Sequence, residues 1–162
     1  MGYTHYWSFN FNAGKSADLE KKYQKAILEC QKVVRAIAKD NRKLYGSSRL
    51  SGYTAHSSLG KYGGIKVNGK GEDSCEDFIM REHLKENKTW NFCKTNKYAY
   101  DFAVVACLAV LKYRLGDAIT VSSDGDRINW EDAVNYAAKV LRRKVTIPET
   151  IVPTRLTLRI AR

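Results

Sequence analysis

The chain is short of proline, of long apolar runs and of acidic residues, and its cysteines and histidines are thinly spread. Its two prolines, Pro148 and Pro153, both come late, so no proline breaks a helix or bars a central strand before them. The four cysteines, Cys30, Cys75, Cys93 and Cys107, form no Cys-x-x-Cys pair, and His5, His56 and His83 are scattered. Zinc-site spacing is therefore missing, and no metal or cofactor is expected. Cys30 and Cys107 fall in apolar helical patterns, as buried thiols of a reduced, cytosolic protein do. Lys112 and Arg114 interrupt the longest apolar run, which is too short to cross a bilayer. The first residues are aromatic and polar rather than basic and then apolar, so no signal peptide is expected. Seventeen Asp and Glu against 28 Lys and Arg leave a net charge of +11. A field of that sign attracts nucleic acid, phosphorylated metabolites or anionic membrane, and it also keeps a small protein soluble.

What is present fits one globular domain. A chain of 162 residues can bury most of its apolar surface without disulfides or metals. Residues 3–11 alternate, with Tyr3, His5, Trp7, Phe9 and Phe11 on one face, which predicts a strand. Residues 17–44 carry Leu19, Tyr23, Ile27, Val34 and Ile37 at helical spacing, with Lys21, Lys22, Lys25, Lys32, Arg35 and Lys39 on the other face. Short strands are expected at 52–57, 64–67, 76–82 and 89–94. Asn68-Gly69 signals a hairpin, although its polar flanks also suit a longer loop.

Residues 100–115 are apolar nearly all round, so this second helix should be central and buried. Gly116 is its stop. A strand follows at 118–123, and Asn129 is the expected cap of a third helix, with Glu131 and Asp132 in its first turn. These elements predict an α+β, two-layer domain over residues 1–147, with a mostly antiparallel sheet and three helices. Residues 148–162 read as a C-terminal extension, an edge strand or a segment docking on another subunit, because Leu156, Leu158 and Ile160 alternate with Thr157 and Arg159.

Two polar clusters flank the apolar second helix. Lys94, Thr95, Tyr100 and Asp101 mark a strand-to-helix junction, where free backbone N–H groups and the positive end of the helix dipole attract anions. Ser122, Ser123 and Asp124 mark the following strand end and offer two hydroxyls and a carboxylate to a ribose or base edge. Gly125 also suits a plain turn there. Tyr6 points away from the apolar face of the first strand and is free to stack on a base, whereas Trp7 is expected in the core. His5 shares that apolar face, as a packed or hydrogen-bonded histidine does. The ligand-binding set is thus Tyr6, Lys94, Thr95, Tyr100, Asp101, Ser122, Ser123 and Asp124, with no catalytic residue assigned. The two ends of the second helix lie about 24 Å apart at 1.5 Å per residue. They form one site only if the following strand runs back along the helix.

The motifs Gly2-Tyr3-Thr4-His5-Tyr6-Trp7, Asn68-Gly69 before Glu76 and Phe78, Phe92-Cys93-Lys94-Thr95, Tyr100-Asp101, and Gly116-Asp117 leading to Ser122-Ser123-Asp124-Gly125 and Trp130 resemble a family of small tailed-bacteriophage proteins. The resemblance spans most of the chain up to the third helix. It implies a phage origin and the cytoplasm of an infected bacterial host, but no settled activity.

The first functional expectation is a non-catalytic phage protein that binds a nucleotide-like, phosphate-bearing signal and sequesters it in counter-defence. The alternatives are a nucleic-acid-binding protein using the basic helix and tail, and an enzyme acting on a phosphorylated substrate with His5 or His56 as base and Lys94 stabilising charge. A fourth is an inhibitor of a host defence protein. Partners are then a nucleotide-like molecule, a host component or nucleic acid, with no membrane and with homo-oligomerisation through the tail left open.

Overall fold

A computed structural model describes residues 2–40 and 63–154. The strand expected at 52–57, His56 and the tail beyond Thr154 lie outside the described residues. The first strand, β1 (Thr4–Phe9), keeps the period-two pattern. Its odd-numbered residues His5, Trp7 and Phe9 are buried, and its even-numbered residues are only partly covered. Helix α1 (Ser16–Lys39) buries Leu19, Tyr23, Ile27, Val34 and Ile37. Its described part reaches Lys39, with the N–H of Asp40 bonded to the Ala36 carbonyl, and the expected continuation over 41–44 lies outside the described residues.

Strands β2 (Ile65–Val67) and β3 (Phe78–Met80) form an antiparallel pair, with Val67 opposite Phe78. Asn68-Gly69 does not close a two-residue hairpin. The Asn68 side chain instead organises a longer loop, with its Oδ1 accepting from the Gly69 and Cys75 amides and its Nδ2 donating to the Cys75 carbonyl. A side chain cannot replace Gly69, because its Cβ would lie 1.8 Å from the Asp73 carbonyl oxygen.

Strand β4 (Trp90–Lys94) leads into helix α2 (Asp101–Leu115), and strand β5 (Ile119–Ser123) into helix α3 (Arg127–Leu141). The three-stranded sheet has the order β4-β1-β5, antiparallel throughout, and β2-β3 is a separate two-stranded sheet. The fold is α+β, as the sequence predicts, although its strands divide between two sheets.

Ten of the fifteen α2 residues are buried. The helix packs against α1, α3 and β5, so it needs an apolar surface on every side. Burying one such side chain, Leu108 for example, contributes about 1.5–3 kcal/mol. Gly116 ends α2 with φ +54°, in the region that favours glycine. Lys112 Nζ then donates to the carbonyls of Gly116 and Ile119, at 2.9 Å each, and ties the start of β5 to the end of α2.

The cap of α3 differs from expectation. Asp126, not Asn129, is the N-cap: its carboxylate accepts the Asn129 N–H, and Asn129 Oδ1 accepts the Asp126 N–H. This reciprocal pair starts the helix three residues earlier and leaves Glu131 and Asp132 outside the first turn. The segment after α3 returns to the β5 side. There the Thr150 hydroxyl donates to the Val121 carbonyl, Ile151 is buried, and the Arg127 N–H bonds the Val152 carbonyl at 3.0 Å.

Candidate functional site

Strand β1 brings the two flanking clusters together. Thr4 is paired with Lys94 on β4, and its N–H donates to Asp124 Oδ2 at 3.0 Å just past β5. His5 is paired with both Cys93 and Ser123. Strand β5 therefore does run back along α2, and the two polar ends of that helical segment meet at the N-terminal end of β1. The expected residues then separate onto two faces of the sheet.

On the inner face, His5 is fully buried. Its Nε2 lies 2.6 Å from Asp101 Oδ1 and its Nδ1 lies 2.8 Å from Ser123 Oγ. An ionised Asp101 accepts only, so Nε2 donates to it, and in the neutral imidazole Nδ1 then accepts from the Ser123 hydroxyl. The Thr95 hydroxyl donates to the same Asp101 oxygen at 2.5 Å, and Thr95 is itself fully buried. The rings of Tyr3 and Trp130 meet the imidazole edge-on, at 5.2 and 5.5 Å. Burial, and next the Asp101 carboxylate, pushes the Tyr3 hydroxyl up to about 12.

Serine, imidazole and carboxylate stand in the order of a nucleophile, its base and the group that orients the base. The surroundings do not complete a hydrolytic centre. The base is sealed, and Ser123 Oγ already accepts the Gly125 N–H at 2.9 Å. The next amides are also committed, Asp124 to the Thr4 carbonyl and Asp126 to Asn129 Oδ1. Acyl transfer needs free donors for its oxyanion. As folded, the network clamps β1, β5 and α2 together.

The strand-to-helix junction also differs from an open anion site. The amides of Asp101, Phe102 and Ala103 donate to the carbonyls of Tyr98, Ala99 and Tyr100, at 2.8, 3.4 and 3.0 Å. The donors that a helix N-terminus would turn toward an anion are thus engaged. Tyr100 is fully buried, and its hydroxyl donates to the carbonyls of Glu76 and Lys94. Asn96 and Lys97 both have positive φ, and the Tyr98 N–H closes on the Thr95 carbonyl at 3.0 Å. That is a type I′ turn, held with non-glycine residues in the left-handed region. The turn carries the Lys97 ammonium over the Tyr3 ring, 4.9 Å from its centroid.

The outer face holds the remaining expected residues. Tyr6 lies opposite Phe92 on one side and Ser122 on the other. Its hydroxyl is 3.4 Å from Asp124 Oδ1. Lys94 is half-buried, while Ser122 and Asp124 are exposed. Two residues missing from the sequence expectation stand beside them: Phe92 is 48% and Trp90 58% exposed, with ring centroids 5.1 Å apart. The alternation Trp90, Phe92, Lys94 against Asn91 and Cys93 was the signal that places them outward.

No group of three His, Cys, Asp or Glu among the described residues could hold a metal ion, and none of the helices there is long and apolar enough to cross a membrane. Burial pushes the Cys30 and Cys93 thiols up, with a contribution from Cys107 at the first and Glu76 at the second, so neither is poised as a thiolate. A scan of family models, a search of curated proteins and a search of solved structures match nothing to this chain.

Proposed function

We propose that the protein binds a nucleotide-like, phosphate-bearing molecule on the outer face of its three-stranded sheet and does not transform it. The observation that carries this reading is the meeting of Tyr6, Phe92, Lys94, Ser122 and Asp124 on one open surface drawn from three strands. Aromatic faces stack on a base with a contribution of about 1–3 kcal/mol. Tyr6 and Phe92 would supply that contact, the Lys94 ammonium would take a phosphate, and Asp124 and Ser122 would take sugar hydroxyls. The inner cluster of Thr95, Asp101 and Ser123 then positions this surface rather than touching the ligand. The resemblance to phage proteins makes sequestration of a host nucleotide signal the biological reading of such binding.

Titration calorimetry against a panel of cyclic nucleotides and ADP-ribose derivatives tests it. Binding of at least one compound is expected, weakened about tenfold or more in Phe92→Ala and in Lys94→Ala. A folded protein that gives no heat across the panel would sink the proposal.

A second reading has its own support. Lys21, Lys22, Lys25, Lys32, Arg35 and Lys39 are all exposed on α1, and a basic stripe can track a phosphate backbone. A filter assay with single-stranded oligonucleotides at two salt concentrations separates the two, because backbone contacts predict a steep loss of affinity with salt.

A further inference from the structure

Strand β4 turns one side of its backbone away from β1, and among the described residues only part of that side is bonded. Two bonds bracket its ladder with β1: the Phe9 N–H to the Thr89 carbonyl at 2.8 Å, and the Thr95 N–H to the Tyr3 carbonyl at 2.9 Å. The odd-numbered residues of β4 therefore face β1, and Trp90, Phe92 and Lys94 turn their N–H and C=O groups to the free edge. At Lys94 that edge is occupied, with its N–H donating to Glu76 Oε2 at 2.7 Å and its carbonyl accepting the Glu76 N–H at 3.1 Å. At Phe92 and Trp90 no described residue bonds the outward groups.

Beside this stretch lies a groove of about 400 Å³. It is lined by Trp7, Glu76, Asp77, Ile79 and the two β4 aromatics. Trp7 is 3% exposed, and its buried indole N–H has no acceptor among the described residues. Ile79, Trp90 and Phe92 are all exposed. An exposed, apolar, unpaired edge is a template for another strand.

We infer that this edge takes residues 155–162 of a second copy of the chain as an added strand. Their sequence, Arg-Leu-Thr-Leu-Arg-Ile-Ala-Arg, alternates apolar Leu156, Leu158 and Ile160 with Arg155, Thr157 and Arg159. The apolar set suits the exposed aromatics. The arginines can reach the carboxylates of Glu76 and Asp77 in the lining, where Asp77 is held by Lys66 at 3.7 Å across an exposed pair and Lys88 is the one lysine that lines the groove.

The position of Thr154 argues for exchange between copies. Thr154 accepts the Ile128 N–H at the start of α3, on the β5 side of the sheet. Reaching the far edge of its own β4 means crossing three strand spacings, about 15 Å, which uses four or five of the eight residues at about 3.4 Å each. A second copy's edge has all eight available, and a reciprocal exchange closes a two-fold dimer.

Light scattering after size exclusion tests the proposal with the full chain, a chain ending at Thr154, and two variants. Phe92→Pro removes an outward N–H that β1 does not use. Arg155→Glu with Arg159→Glu reverses the charge of the added strand at positions outside the described residues. The full chain is expected at twice its 18.4 kDa mass, and the truncated and both substituted chains at the monomer mass. A monomeric full chain at all concentrations overturns the proposal, and so does a dimer that survives truncation. A dimer lost on truncation but kept in Phe92→Pro, with circular dichroism showing that variant folded, moves the tail elsewhere and also overturns it. Should Phe92→Pro not fold, the charge-reversal chain decides: a retained dimer overturns the proposal, and a monomer sustains it.

Discussion

The two faces of β1 carry residues of equal chemical promise and opposite fates. On the inner face His5 meets Asp101, Ser123 and Thr95, the most enzyme-like constellation in the molecule. On the outer face Tyr6 and Thr4 meet Phe92, Lys94 and Ser122, an ordinary mixture of stacking and polar groups. Burial completes the first set, and each of its four side chains has a hydrogen-bond partner inside the protein. Exposure leaves the second set with capacity to spare. Reactive residue types therefore do not mark a binding surface by themselves; what distinguishes the proposed one is exposed stacking and polar capacity.

Breaking the inner face should cost most. His5→Ala removes the donor to a largely buried carboxylate, leaves the Ser123 hydroxyl without its acceptor and opens a gap between Tyr3 and Trp130. A loss of about 2–4 kcal/mol in urea unfolding is expected. A loss below about 0.5 kcal/mol would mean that the network is not what joins β1, β5 and α2, and the comparison between faces would fail.

Gly125→Ala probes the same face sterically. A Cβ at residue 125 would meet the Tyr3 hydroxyl oxygen at 2.0 Å, at the end of a rigid ring. Overpacking of this kind costs about 1–3 kcal/mol. Adding Tyr3→Phe removes the atom that collides, so the double variant should recover part of the loss in the same assay. No recovery would show that the strain arises elsewhere.

A third test places enclosed charge against open charge. Glu29 on α1 receives Arg114 Nε at 2.5 Å and two nitrogens of Arg143 at 2.5 and 2.6 Å. Burial alone would raise its carboxyl, but the two guanidiniums outweigh it and hold the group below the usual range. A depressed folded value stabilises at pH above the ordinary carboxylate value, and that contribution is lost as pH falls through the folded value. Glu29→Gln should therefore cost about 1–2 kcal/mol near neutral pH. The gap to the native chain should close as urea unfolding is repeated toward pH 3. A gap that stays constant with pH would assign the loss to shape rather than charge.

Much of the framework was legible because its signals are periodic. Period two in Thr4–Phe9 and all-round apolarity in Asp101–Leu115 each admit one placement. The caps and connections were less legible. Asp126 and Asn129 have nearly equal capping power, and only the three-dimensional pairing shows which of them starts α3. Asn68-Gly69 looked like a tight turn because both residues suit one, yet the Asn68 side chain is used to organise a wider loop. For the proposed site, the sequence singled out Lys94 and Ser122–Asp124 but did not show the division between faces. Ser123 and Ser122 are adjacent in the chain and point to opposite sides of the sheet, so a single motif supplied both a clamp and a surface. The His5–Asp101 contact spans 96 positions and leaves no local trace. The same holds for Glu29 with Arg143, 114 positions apart.

The smallest expected effect on stability is the sharpest test of the outer face. Ser122→Ala removes an exposed hydroxyl that bonds nothing in the described fold, so unfolding should shift by no more than about 0.5 kcal/mol. Ser123→Ala, one residue along, removes the hydroxyl that joins His5 to the Gly125 amide and should cost about 1–2 kcal/mol. Ligand affinity should reverse the order: under the proposed function Ser122→Ala weakens binding at unchanged stability, through loss of a direct contact. Comparing each variant's calorimetric affinity with its urea midpoint separates the two roles. Equal losses in both variants and both assays would mean that the faces are not independent, and that a ligand on the outer face draws directly on the clamp beneath it.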